Sequence, residues 1–123
     1  MAGIGKKITD FEGKITSSTF SETGGSVNTE NEVGEYGTVL ATISFGPAAA
    51  GAEDTGTASI CGQCFLPDGG TLPFTGSGTW QRLGNHRGSI KLIQLGADGT
   101  RTFAASEIAL PARSIKGTLY ALD

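Results

Sequence analysis

An all-β chain that closes into an antiparallel up-and-down barrel of about eight strands is the fold this sequence predicts. Three observations predict it. Apolar residues recur with a period of two, and no stretch sustains the three-and-four spacing of an amphipathic helix. Turn signals separate the alternating segments at short intervals, so consecutive segments are antiparallel neighbours. Glycine, 20 of 123 residues, interrupts every helical window and falls where strongly coiled strands need bends or close backbone approach. A meander must also dispose of its edges, and closure does so. A two-sheet sandwich is the rival architecture.

The elements follow in order. KITDF (Lys7 to Phe11) and GKITSSTFS (Gly13 to Ser21) supply one or two strands. The polar, Gly-bearing segment Glu22 to Glu35 reads as a long loop or lid, and the N-terminal portion as flexible. GTVLATISF (Gly37 to Phe45) alternates Val39, Ala41, Ile43 and Phe45 against Thr38, Leu40, Thr42 and Ser44. Phe45 to Gly51 reads as an irregular connection. TGTASICGQCF (Thr55 to Phe65) alternates with small residues, and Pro67-Asp68-Gly69-Gly70 turns the chain. GSGTWQRL (Gly76 to Leu83) places Gly76, Gly78, Trp80 and Arg82 on one face. Gly84 to Gly88 links it to GSIKLIQL (Gly88 to Leu95), where Ile90, Leu92 and Gln94 share a face. Asp98-Gly99 marks a hairpin. TFAASEIAL (Thr102 to Leu110), a short return through Pro111, and IKGTLYAL (Ile115 to Leu122) complete a single domain. Several strands are apolar on both faces and no helix is available as a cover, which argues for a homo-oligomer.

Composition excludes several classes. Gly, Thr, Ala and Ser make up nearly half the chain, and charged residues 17%. There is no basic block for nucleic acid and no apolar run long enough to span a bilayer as a helix. Lys6 and Lys7 are not followed by the apolar stretch of a secretory signal, so a cytoplasmic protein is expected. Residues 1–60 carry three basic against eight acidic side chains, and residues 61–123 six against four. The two halves are expected to pair within the fold or across a subunit contact.

Cys61 and Cys64 form a C-G-Q-C spacing on a strand, where positions three apart face opposite ways. Without a bulge, for which Gly62 is the candidate, the sulfurs do not meet, so structural thiols are expected rather than redox chemistry. No metal is expected, because zinc needs four good ligands and His86 is the one further soft candidate. His86 lies in a turn and is expected to be exposed.

The chemistry-bearing candidates are few. Trp80 reads as a polarisable pocket wall or as a core plug with its N–H bonded to a carbonyl. Arg82 shares its face and either grips a carboxylate or enolate oxygen or faces water at the rim. An inward Glu107 would have a raised pKa and serve as acid or base; an outward one would pair with Lys116 or Arg113. Its face is open, since both sides of that strand are apolar. Tyr36 and Tyr120 are phenols that either donate to a carbonyl or pack on the sheet. The candidate catalytic set is thus Glu107, Arg82 and Tyr36, and the candidate substrate wall Trp80, Phe103 and Tyr120.

The segment Thr75 to Leu95 resembles the allene oxide cyclase and dirigent proteins, which carry a G-G-[ST]-G-x-[FY] start and then a G-x-[VI]-x-L strand. Gly76, Ser77, Gly78 and Trp80 occupy the first part, and Gly88, Ile90 and Leu92 the second. GEYGTVLATISF (Gly34 to Phe45) is similar to another strand of those families, and the likeness runs from Gly34 to Leu122. It implies an eight-stranded calycin-like barrel, dimeric or trimeric. It also implies shape-directed cyclisation or coupling with no cofactor. No carboxylate here is matched to the acidic residue the plant cyclases use.

Three functions follow as expectations. The first is a cofactor-independent cyclase or isomerase acting on a small, largely apolar molecule. The second is a lipocalin-like carrier of such a molecule, and the third an oligomer-forming structural protein. The first two require a hollow interior, for which Ala41, Ala58, Ala104 and Ser106 would leave room.

Overall fold

The computed structural model describes residues 3–122. Eight strands form one closed antiparallel barrel in chain order: β1 (Ile4–Ser21), β2 (Gly24–Glu32), β3 (Thr38–Ala49), β4 (Ala52–Phe65), β5 (Thr71–Gly84), β6 (Arg87–Gly96), β7 (Arg101–Ala109) and β8 (Ser114–Leu122). Closure comes from β8 pairing back onto β1, with Phe11 opposite Gly117 and Lys14 opposite Ser114. The alternating segments of the sequence are these strands, and the turn signals sit between them. Asn85 and His86 both take positive φ, 52° and 60°, in the two-residue turn between β5 and β6. That geometry suits the right-handed twist of the flanking strands. His86 is exposed.

Two connections differ from expectation. Glu22 to Glu35 is not a lid: Gly24–Glu32 is a strand paired on both sides, followed by one 3-10 turn at Gly34–Tyr36. Its inward positions Val27, Thr29, Asn31 and Val33 are all buried. Two of these four are polar, so the period of two is masked in the sequence. Phe45 to Gly51 is likewise mostly strand: β3 runs to Ala49, with its register against β4 broken after Phe45. At the N-terminus the chain is in β1 from Ile4 onward.

Inside, three aromatic rings each lie across a glycine directly opposite on the neighbouring strand. Trp80 pairs with Gly56, Phe74 with Gly62 and Phe11 with Gly117. A Cβ on Gly56 would come within 2.7 Å of Trp80 Nε1, one on Gly62 within 2.8 Å of Phe74 Cζ, and one on Gly117 within 2.7 Å of Phe11 Cζ. The missing side chains are the space the rings occupy. An eight-stranded barrel is narrow, so rings fit only where the facing position is empty. Gly78 serves differently: its Cβ would strike the Lys91 carbonyl oxygen of β6, so β5 and β6 approach closely there.

The core has two levels. Ile15, Val27, Ile43, Ala58, Ile90 and Ile108 close one end, with Trp80 and Phe45 packed on them. Val33, Val39, Cys64, Ala104 and Leu119 surround the other end, with Phe74 and Tyr36 against them. Ile43 and Ile90 are almost wholly buried, each worth about 1.5–3 kcal/mol by removal from water.

Candidate functional site

The barrel is hollow in its second half. A cavity of about 80 Å³ lies between Phe11, Val39, Phe74, Leu92 and Leu119 and opens past Tyr36. Inward positions of β2, β6 and β7 add Thr29, Asn31, Gln94, Thr102 and Ser106 to its wall. Ala41, Ala104 and Ser106 leave the expected room, whereas Ala58 belongs to the closed end. Cavities of about 150 Å³ hold benzene, so the enclosed space takes one end of a narrow molecule, with the remainder in the mouth.

The wall carries neutral polar groups. Among the described residues no Asp, Glu, Lys, Arg or His lines the cavity. Gln94 Nε2 donates to Thr102 Oγ1 at 3.2 Å, and Thr29 Oγ1 donates to the Ala41 carbonyl at 3.5 Å. Asn31 is different: it is 7% exposed, and its Oδ1 has no hydrogen-bond partner. Burial pushes the Tyr36 phenol above its ordinary range, with the Asp98 carboxylate on the β6–β7 turn adding to the effect. Tyr36 therefore stays a neutral donor at the mouth across the physiological range. Asp98 itself is held low by hydrogen bonds from Thr100.

Of the six residues predicted for the site, one lines the cavity. Tyr36 does, on the 3-10 turn at the mouth. Trp80 points inward but at the closed end, where its Nε1 donates to the Gly46 carbonyl at 3.0 Å. It is a plug. Arg82 lies near the end of β5, its side chain 63% exposed, 3.7 Å from Asp54 and 6.0 Å from the Trp80 ring centroid. This pair joins the acidic and basic halves of the chain. Glu107 faces outward, and Arg87 donates to it at 2.6 Å; the partner is on β6 rather than Lys116 or Arg113. Phe103 and Tyr120 are also outside, a cross-strand pair with ring centroids 6.2 Å apart. The physical reason is volume: β7 turns Ala104 and Ser106 into the narrow interior, which sends Phe103 and Glu107 out.

Asn31, Thr29, Gln94 and Thr102 were absent from the predicted set. The signal for Gln94 was present in its shared face with Ile90 and Leu92. That for Asn31 was the Val27-Thr29-Asn31-Val33 alternation. The two thiols behave as the strand geometry requires. Both are free, Cys61 outside and Cys64 buried, on a stretch of β4 with unbroken register. Burial first, then Asp98, pushes the Cys64 thiol up, the opposite of a reactive thiolate. No group of His, Cys, Asp and Glu able to hold a metal occurs among the described residues. No helix among them is long and apolar enough to cross a membrane.

Compared with protein-family models, curated proteins and solved structures, the chain matches none.

Proposed function

We propose that this barrel binds a small, uncharged, largely apolar molecule in the open half of its interior. The observation that carries the reading is the cavity itself: mostly apolar walls, Tyr36 and the β6–β7 turn at its open end, and polar groups that are all neutral. Burying an ion there without a counter-charge would cost far more than the apolar contacts return. Catalysis by Glu107 or Arg82 is not supported, since neither reaches this space. A carrier of the lipocalin kind needs nothing further. The cyclase or isomerase reading keeps one supporting observation, the neutral Tyr36 phenol at the mouth, and works through shape and orientation without a cofactor.

Titration of the isotope-labelled protein with toluene tests the proposal, read as amide NMR shifts. Saturable shifts at Tyr36, Leu92 and Leu119 are expected, with none from benzoate. Ala104→Leu, which fills the cavity, is expected to weaken binding at least tenfold, and Glu107→Gln to leave it unchanged. Absence of any saturable shift with either toluene or phenol at millimolar concentration overturns the reading.

A homo-oligomer belongs to the same proposal. Ile93 and Leu95 on the outer face of β6 are 59% and 53% exposed, and Phe103 adjoins them across β7. An apolar stripe of this kind is expected to be covered by a second copy. Sedimentation across a hundredfold concentration range checks it, and a monomer throughout rejects it.

A further inference from the structure

We infer that the ligand of this cavity carries a hydroxyl group, an alcohol or phenol on an otherwise apolar frame, and that Asn31 is the residue that selects it. The inference rests on the reading that the cavity takes a ligand.

Asn31 sits near the end of β2, opposite Gly13 on β1 and Val39 on β3. Its amide is buried in apolar surroundings with Oδ1 unpartnered. A buried acceptor without a donor is destabilising, and native proteins seldom leave one without a reason. The other amide of the wall shows the contrast: Gln94 is bonded to Thr102, whereas Asn31 lines the same cavity with its oxygen unpartnered.

The surroundings of Asn31 explain which group fits. A Cβ on Gly13 would lie 2.5 Å from Asn31 Oδ1 and would collide with the Glu30 carbonyl oxygen, so both oxygens crowd the glycine. Two acceptors thus share one space. Rotating the amide by half a turn about its last torsion exchanges the oxygen for the NH2 on the Gly13 side, beside the Glu30 carbonyl. An amide exposes its NH2 in one orientation and its oxygen in the other. A hydroxyl both donates and accepts, so it satisfies either. A carbonyl satisfies only one, and a methyl satisfies neither. A carboxylate or ammonium is excluded because no counter-charge lines the cavity.

Phenol and toluene have the same shape and number of heavy atoms and differ only in OH against CH3. On transfer from water alone, toluene enters an apolar cavity more readily. The wild-type protein is expected to bind phenol about tenfold more tightly than toluene, in proportion to one hydrogen bond gained by a buried group. Asn31→Leu, close in volume and without the orphaned oxygen, is expected to reverse the order. Glu107→Gln, outside the cavity, is expected to keep it. Binding of neither probe to wild type sinks the cavity reading. Toluene bound as tightly as phenol sinks this inference and leaves the cavity reading standing. A phenol preference that survives Asn31→Leu assigns selection to another group and also sinks it. The wild-type comparison depends on no variant, so a variant that fails to fold does not shield the inference.

Discussion

Replacing Gly78 by alanine is expected to cost about 3 kcal/mol or more of stability, because an added methyl here collides with backbone rather than with a side chain. The Cβ would meet the carbonyl oxygen of Lys91, and Leu92 Cα lies 3.0 Å away. Both belong to β6, whose pairing with β5 runs unbroken from Phe74 opposite Gly96 to Arg82 opposite Gly88. Relief therefore requires parting two strands in the middle of a closed sheet. The control is Gly88→Ala on β6. There the nearest atom is the Gln81 carbonyl oxygen at an ordinary 3.4 Å and φ is not positive, so a change within about 1 kcal/mol is expected. Urea unfolding followed by circular dichroism measures both. Equal effects of the two substitutions would show that close approach of β5 and β6 is not what Gly78 provides.

Trp80→Ala is expected to cost about 3 kcal/mol, the low end for truncation of a large aromatic, because the ring is half-buried. The loss has two separable parts. One is the contact area of the ring over Gly56 and against the closed-end cluster. The other is the donor to the Gly46 carbonyl, which sits where β3 leaves register with β4 and so depends on the indole for its partner. Trp80→Phe keeps most of the first and removes the second, and is expected to cost about 1–3 kcal/mol. Thermal unfolding by circular dichroism orders the variants, since Trp80 is the sole tryptophan and its fluorescence disappears with it. Because the cavity lies at the other end, probe binding by any folded Trp80→Phe protein is expected to match wild type. Loss of probe binding in that variant would place Trp80 in the site rather than in the plug.

The position of Trp80 shows where sequence reasoning succeeds and where it stops. Its N–H bond to a carbonyl and its role behind Gly76 and Gly78 were legible, because glycines flanking a lone aromatic on one face imply close packing. The glycine beneath its ring, Gly56, was not, because that pairing depends on the register between β4 and β5. Glu107 and Phe103 illustrate the same limit. Either face of β7 is apolar enough to be interior, so alternation alone leaves the choice open. The choice falls to Ala104 and Ser106 because their small side chains fit inside a narrow barrel and a phenyl ring at that level does not. Asn31 went unread since a polar residue on an inward position looks, in a one-dimensional pattern, like a loop.

What the amino-acid order determined by itself is the strand identity of most segments, the sites of the tight turns and hence the antiparallel meander. Alternation and turn chemistry are local, and each is written within a few adjacent residues. What the tertiary structure alone decided is which side of each strand faces in, which ring lies on which glycine, and that the hollow half is lined by neutral polar groups. Those depend on the registers that bring distant segments level with one another around the closed wall. A shift of one residue in any of them would turn a whole strand inside out.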